Sequence, residues 1–278
     1  MSAVIIDNQV VHYEVFGRGR PVLFLHGWLG SWRYWFPTVE VIAEHFRTYS
    51  FDFWGFGDSR RSQTRESIQA YSDQVIRFLD AMGIDQVMVV GHSMGGMVAL
   101  KTALSYPDRI KRVVTVGAPI DGNSLSWLLK LTNQRVFANA FARWPWVRRK
   151  LFHFFLGETS DPAVSEMIDD SVKSSANTLR YAVNSMWRTD LRSELPHLRV
   201  PALIIHGGRD DIVNPNQAKL FGAVPLAQVV VMPRSRHFPF LDEAGFFNDL
   251  LVHFLKAENP ANLTVPTLVR KPQPLHGK

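Results

Sequence analysis

Residues 87–100 read Val-Met-Val-Val-Gly-His-Ser-Met-Gly-Gly-Met-Val-Ala-Leu, an apolar run of strand length followed by a run typical of a helix. The turn between them places Ser93 between Gly91 and Gly95. Because glycine lacks a Cβ, these two positions allow the chain to reverse sharply. We therefore predict that Ser93 stands on a strained turn at the amino end of a helix, where the helix dipole favours negative charge. The alternative is a serine that only caps the helix.

Beyond this stretch, short apolar runs alternate with segments of helical periodicity. Runs of strand length occupy residues 10–16, 21–25, 48–51, 86–90, 112–116, 200–205 and 228–231. Apolar spacing predicts helices over residues 66–82 and near 243–256. This alternation predicts an α/β fold, a mostly parallel twisted sheet with helices on both faces. The first two runs leave no room for a helix between them, so we expect an antiparallel hairpin around residues 17–19.

The strand–helix alternation stops between residues 121 and 190, where helical patterns occur without a convincing strand. We expect this segment to form a helical cap inserted into a core built from residues 1–120 and 191–258. The proline-containing residues 259–278 are expected to form a loosely ordered tail.

Composition narrows the class of protein. With 278 residues, 46% of them hydrophobic, the chain can bury a large core, which argues against disorder. The absence of cysteine excludes disulfides, thiolate metal ligands and a cysteine nucleophile. The sequence shows neither a basic leader before an apolar run nor an apolar stretch long enough to span a bilayer, so we predict a cytoplasmic protein.

A serine hydroxyl is a weak nucleophile near neutral pH unless an imidazole accepts its proton and a carboxylate orients that imidazole. Two loops offer these groups directly after predicted strands: residues 206–215 carry Asp210 and Asp211, and residues 233–243 carry His237. The carboxyl ends of parallel strands meet at one edge of a sheet. We therefore expect both loops to converge on Ser93.

Five segments together resemble the α/β-hydrolase superfamily. They are His26-Gly27-Trp28, Asp52-x-x-Gly55-x-Gly57-Asp58-Ser59, Gly91-His92-Ser93-Met94-Gly95-Gly96, Gly208-x-Asp210 and Arg236-His237-Phe238-Pro239. The resemblance covers about residues 4–257 and is looser in the cap and tail. It implies an α/β-hydrolase fold and a serine carboxylesterase-like activity, with Ser93 as nucleophile, Asp210 as acid and His237 as base.

The identity of the acid stays open among three aspartates. The position of Asp210 relative to Gly207 favours it, but Asp211 is its direct neighbour and their side chains cannot both face the histidine. Asp121 is the third candidate, because it follows the strand predicted over residues 112–116 and some relatives resemble that arrangement.

Acyl transfer also develops an oxyanion, which two preorganised backbone N–H groups stabilise. We predict these donors to be Met94, directly after the nucleophile, and Trp28, in the loop after the strand over 21–25. Four aromatic side chains are predicted to contribute to the substrate pocket: Trp28, Trp127, Phe141 and Phe238. No clustered metal-ligand spacing occurs in the sequence, so we predict neither a metal nor a cofactor.

The predicted cap concentrates both charge and aromatic residues. Residues 123–157 contain no aspartate or glutamate, and their six lysines and arginines equal the net charge of +6. Eight aromatic residues share the same segment. This composition is typical of a cap whose rings pack inward and whose charges are solvated, and it also fits contact with a lipid or micelle surface. No nucleic-acid-binding module is recognised, and no obligate protein partner is predicted.

The identity of residue 93 discriminates among reactions. Epoxide hydrolases and haloalkane dehalogenases resemble this chain in fold but carry aspartate there, so Ser93 argues against both. The leading hypothesis is hydrolysis of a small carboxylic ester through an acyl-enzyme. A cofactor-free perhydrolase and a carbon–carbon bond hydrolase need the same residues and stay open as alternatives. A hypothesis from another class is a ligand-sensing protein whose mobile cap recruits a partner.

Overall fold

The computed structural model describes residues 2–59, 66–144, 146–147, 149–150 and 162–258. Its strands are β1 (Ser2–Ile6), β2 (Gln9–Phe16), β3 (Pro21–Leu25), β4 (Arg47–Phe51), β5 (Val87–His92), β6 (Ile110–Val116), β7 (Ala202–Gly207) and β8 (Ala227–Met232). They form one sheet in the order β1-β2-β4-β3-β5-β6-β7-β8. β2 is antiparallel to both of its neighbours, and the remaining pairs are parallel. The predicted α/β architecture is confirmed.

The helices of the core are α1 (Phe36–Ala43), α2 (Ile68–Ala81), α3 (Met94–Ser105) and, after β8, α8 (Pro239–Asp242) and α9 (Ala244–Lys256). Between β6 and β7 lie α4 (Trp127–Leu131), α5 (Arg135–Arg143), α6 (Pro162–Ser171) and α7 (Ala176–Arg188). α3 packs against β5 and β6, α2 packs on α3, and α1 contacts α9. None of the helices in the described ranges combines the length and apolar character that crossing a bilayer requires.

Helix α2 illustrates how the local sequence determines where a helix begins, where it ends and which side it buries. The hydroxyl of Ser67 accepts a hydrogen bond from the N–H of Ala70 and so caps the amino end. Tyr71, Val75 and Phe78 recur at helical spacing and are fully buried. Gly83 follows the helix with a φ of 65°, a conformation that ends many helices. The helix predicted over residues 66–82 is confirmed.

The hairpin expected around residues 17–19 is wrong. The first hairpin instead joins β1 to β2 through Asp7 and Asn8, whose φ values of 50° and 60° are those of a tight two-residue turn. β2 then pairs with β4, which separates it from β3. At Gly17 a Cβ would lie 2.2 Å from the carbonyl oxygen of Phe46. The chain therefore passes tightly beside the segment leading into β4 before it enters the sheet on the other side of that strand.

Ion pairs tie α6 to loops at the carboxyl edge of the sheet. The buried carboxylate of Asp170 accepts from the hydroxyl of Ser31 and pairs with Arg33, each at 2.6 Å. Lys173 bridges Asp170 and Asp58, also at 2.6 Å. These contacts hold the helical segment between β6 and β7 over the edge where the predicted catalytic loops lie. The tail predicted over residues 259–278 lies outside the described residues.

We expect Gly95→Ala to lower the free energy of unfolding by about 3 kcal/mol, near the upper end of overpacking costs. The added Cβ would lie 2.4 Å from the carbonyl oxygens of Leu25 and His26, and backbone atoms there have little freedom to move. Urea unfolding measures this loss. Gly245→Ala is the matched control, because nothing lies within 4 Å of its Cβ position. Equal stability of the two variants would contradict the packing described here.

Candidate active site

Ser93 directly follows β5 and has a φ of 51°, which residues other than glycine rarely adopt. Its side chain makes no capping hydrogen bond to α3, which excludes the alternative of a serine that only caps the helix. At Gly91 a Cβ would lie 2.2 Å from the carbonyl oxygen of Gly95. Both glycines are therefore required for a turn this tight, and the strain is concentrated at the residue between them.

The structure brings Asp210 and His237 into contact. Oδ2 of Asp210 lies 2.8 Å from Nδ1 of His237, and the side chains are 0% and 5% exposed. Oδ1 of Asp210 accepts from the N–H groups of Ile212 and Val213, each at 2.9 Å. Since an ionised carboxylate can only accept, Nδ1 carries the imidazole proton. This tautomer leaves Nε2 of His237 as a proton acceptor.

The ends of β7 and β8 explain why these two loops meet. Gly207 and Met232 are partners at the end of the parallel ladder. Beyond it, the N–H of Arg209 donates to the carbonyl of Ser235 at 3.0 Å, which continues the pairing into both loops. A Cβ at Gly207 would lie within 2 Å of the carbonyl oxygen of Arg236. Only glycine allows the loops to cross this closely.

The other two candidate acids lie elsewhere. Asp211 is exposed. The carboxylate of Asp121 caps the short 3₁₀ turn after β6 by accepting from the N–H of Asn123 at 2.7 Å, and it lies 3.6 Å from Arg192. Of the three aspartates weighed from the sequence, Asp210 is therefore the one in contact with His237.

Of the two residues predicted to supply oxyanion donors, Met94 directly follows Ser93, and Trp28 follows Gly27, which lies close to Ser93. At Gly27, next to Trp28, a Cβ would lie 3.2 Å from Cβ of Ser93. Met94 opens α3, and the first N–H groups of a helix have no acceptor within it. The indole Nε1 of Trp28 donates to the carbonyl of Leu179 on α7 at 3.1 Å, so this side chain also contacts the segment between β6 and β7. The donor roles themselves stay predictions.

Sequence reasoning missed Tyr34, whose hydroxyl links the loop after β3 to the end of β5 beside Ser93. This hydroxyl accepts from the N–H of Gly27 and lies 3.1 Å from Nδ1 of His92. Nε2 of His92 lies 2.9 Å from the carbonyl oxygen of His237. A carbonyl only accepts, so Nε2 of His92 carries its proton and Nδ1 accepts from Tyr34. Burial lowers the pKa of His92 well below 6.5, which keeps its ring neutral as this chain of bonds requires.

Gly117 was also missed. It follows β6 with a φ of 56°, and a Cβ there would lie 3.2 Å from Nδ1 of His237 and 3.3 Å from Oδ2 of Asp210. A side chain at this position would crowd the hydrogen bond between His237 and Asp210. A glycine directly after a predicted strand is the signal that could have identified it, whereas nothing in the sequence distinguishes Tyr34 from the aromatic residues around it.

The predicted pocket residues occupy different places. The indole of Trp28 contacts Leu179, as described above, and its place in the pocket stays a prediction. Trp127, at the start of α4, is 72% exposed. Phe238 is buried, and its ring packs 4.8 Å from that of His92 and 5.8 Å from that of Phe240. The side chain of Phe141 lies outside the described part of the structure.

One cluster has the composition of a metal site. His12, Asp52 and Asp58 bring candidate ligand atoms within 4.8 Å of one another. The carboxylate of Asp52 accepts hydrogen bonds from the backbone N–H groups of Trp32 and Asp58, at 2.7 and 2.9 Å. That of Asp58 pairs with Arg33 at 3.3 Å and with Lys173 at 2.6 Å. The carboxylates are therefore already paired within the protein, and the prediction of no metal stays a prediction.

Comparisons with known proteins establish the family of this chain. The sequence model of the alpha/beta hydrolase fold matches residues 20–244. The chain belongs to this family. This α/β hydrolase is 26% identical over 260 residues to a pimeloyl-[acyl-carrier protein] methyl ester esterase of Vibrio cholerae, covering 89% of the chain and 98% of the relative. The superfamily recognised from the sequence is confirmed.

Two solved structures share the fold of this α/β hydrolase. An esterase from Exiguobacterium antarcticum superposes with a TM-score of 0.80 at 23% identity, covering 92% of this chain and 99% of that one. A bromoperoxidase from Bacillus anthracis superposes with a TM-score of 0.79 at 26% identity, covering 90% and 96%.

We expect Tyr34→Phe to lower the free energy of unfolding by about 2 kcal/mol, because it leaves the buried N–H of Gly27 and Nδ1 of His92 unpaired. Urea or thermal unfolding measures the change. The control is Tyr106→Phe, which removes one hydroxyl bonded to Asp73 near the surface and is expected to cost about 0.5 kcal/mol. A smaller loss for Tyr34→Phe than for the control would be inconsistent with the network.

Proposed function

We propose that this protein hydrolyses carboxylic esters through an acyl-enzyme formed on Ser93. The observation that carries the proposal is the buried contact between Asp210 and His237, at the sheet edge where Ser93 is held on its strained turn. Membership of the hydrolase family supports the reaction class. The relative named as a methyl ester esterase supports an ester as substrate.

Acylation follows from the tautomer that Asp210 fixes. Nε2 of His237 accepts the hydroxyl proton of Ser93 as Oγ attacks the ester carbonyl carbon. The carbonyl electrons move onto oxygen, and this oxyanion accepts hydrogen bonds from the N–H groups of Trp28 and Met94. Collapse of the tetrahedral intermediate breaks the bond to the alcohol oxygen, which takes the proton from His237. The acyl group remains on Ser93.

Deacylation repeats these steps with water. Nε2 of His237 accepts a proton from water as its oxygen attacks the acyl carbon, and the same two N–H groups stabilise the second oxyanion. Collapse returns the proton to Oγ of Ser93 and releases the carboxylic acid. The net reaction converts one ester and one water into one acid and one alcohol, and the protein is regenerated.

A second candidate differs only in the molecule that attacks the acyl-enzyme. If hydrogen peroxide replaces water, the product is a peroxy acid, which oxidises halide without a cofactor. The similarity to a bromoperoxidase favours including this reaction. Peroxide-dependent halogenation in the presence of a short-chain ester tests it directly. Activity with esters and none with peroxide assigns the protein to ester hydrolysis.

We expect Ser93→Ala to abolish hydrolysis of chromogenic acyl esters and labelling by a fluorophosphonate, because the alanine lacks the attacking oxygen. Asp210→Asn is expected to lower kcat by roughly a thousandfold or more, since an amide no longer fixes the tautomer of His237. Steady-state kinetics over a series of acyl chain lengths measures both effects and the acyl preference.

Asp211→Asn is the matched control for Asp210→Asn. It removes the same charge at the neighbouring residue, whose side chain is exposed, so kcat should stay within about twofold of wild type. Turnover by Ser93→Ala equal to that of wild type would contradict the proposal. So would a greater loss in Asp211→Asn than in Asp210→Asn.

A further inference from the structure

A short segment between β6 and β7 exposes several large apolar side chains. Val136 and Phe137 on α5 are 76% and 48% exposed, and Trp144 and Trp146 just beyond it are 49% and 58% exposed. α5 has nine residues and is about 13 Å long, and all four residues fall within eleven consecutive positions of the chain. Clustered apolar exposure of this kind marks an interaction surface more often than isolated exposed residues do.

Helix α5 packs by one side against α7, and the described side chains on its opposite side are exposed. Ala138 is buried, and α5 packs against α7. Val136 and Arg143 are seven residues apart and lie on one stripe of the helix, on the side away from Ala138. Both are exposed. The outward side of α5 therefore combines an aliphatic side chain with a cation.

The same segment is strongly basic. Residues 123–157 contain no acidic residue. Arg143 and Lys150 are exposed and form no ion pair with any residue that the structure describes. Nζ of Lys150 lies 5.5 Å from the centre of the Trp146 ring, so a cation and an indole share one surface. Nearby, Arg149 pairs with Asp169 of α6, so its charge is neutralised, unlike those of Arg143 and Lys150 among the described residues.

We propose that this surface docks on a lipid surface of net negative charge. We call it the cap face and define it by Val136, Phe137, Arg143, Trp144, Trp146 and Lys150. The apolar side chains would enter the boundary between headgroups and acyl chains, and the two cations would pair with lipid phosphates.

The chemistry of the cap face favours lipid over a soluble acidic protein. Positive charge alone would suit either partner. Indole rings, however, have an apolar body and a polar N–H, and they are enriched at the boundary between water and hydrocarbon. Trp144 and Trp146 are both about half exposed beside the cations. An anionic lipid surface matches both the positive charge and the indole rings. Docking on it needs no acyl-enzyme, so this proposal does not depend on the proposed function.

Vesicle co-sedimentation of the full chain tests this proposal, and Ser93→Ala in parallel shows that binding does not depend on catalysis. The vesicles contain phosphatidylcholine alone or phosphatidylcholine with phosphatidylglycerol at about two to one, in ~150 mM salt. We expect wild type and Ser93→Ala to bind the anionic vesicles and not the zwitterionic ones. The charge variant Arg143→Gln/Lys150→Gln should lower the partition coefficient roughly 30-fold, at about fivefold per charge.

The aromatic variant Trp144→Ser/Trp146→Ser should lower the partition coefficient at least about tenfold. The control Lys111→Gln/Lys219→Gln removes the same charge from two exposed lysines outside the segment and should bind within about twofold of wild type. Thermal unfolding confirms that each variant is folded. Failure of wild type to bind anionic vesicles, or equal loss in the control and charge variants, would overturn the proposal. An aromatic variant that binds like wild type would also overturn it, because binding would then be purely electrostatic and would not use the exposed rings of the cap face.

Discussion

The turn after β5 is held in place by a close contact between backbones. Gly95 lies against the carbonyl groups of Leu25 and His26 at the end of β3, where a Cβ would be 2.4 Å from both oxygens. β3 and β5 are neighbours in the sheet, so this contact cannot relax without separating two strands. Ser93 is therefore kept at a φ of 51° by the packing of the sheet. The same contact brings Gly27 and its turn beside Ser93.

Burial controls which imidazoles around the site carry charge. Burial lowers the pKa of His26 and that of His206 to about 4, and it lowers the pKa of His92 well below 6.5. All three rings are therefore neutral near pH 7. Neutral neighbours do not repel a proton arriving on His237, whereas charged ones would oppose it. Burial thus keeps these three imidazoles uncharged around the one imidazole that must take up a proton in the proposed reaction.

Much of the fold followed from the sequence because parallel strands and the turn at Ser93 have local signatures. The choice between Asp210 and Asp211 did not follow from the sequence, since it depends on pairing between β7 and β8 and on N–H groups that orient one carboxylate.

The first hairpin was predicted at the wrong place, although Asp7 and Asn8 are a recognisable two-residue turn. The role of Tyr34 could not be predicted, because its hydroxyl connects segments that are far apart in sequence. Likewise, composition identified the basic aromatic segment, but only the structure shows which of its rings are exposed.

In the proposed reaction, Ser93 attacks a carbonyl carbon, and the carbonyl oxygen accepts hydrogen bonds from two backbone N–H groups. A crystal structure of the protein after reaction with a phosphonate ester tests it most directly, since the adduct resembles the tetrahedral intermediate. We predict a covalent bond from Oγ of Ser93 to phosphorus, with one phosphonyl oxygen within hydrogen-bond distance of the N–H groups of Trp28 and Met94. An unmodified Ser93, or an adduct whose oxygens contact neither N–H group, would contradict it.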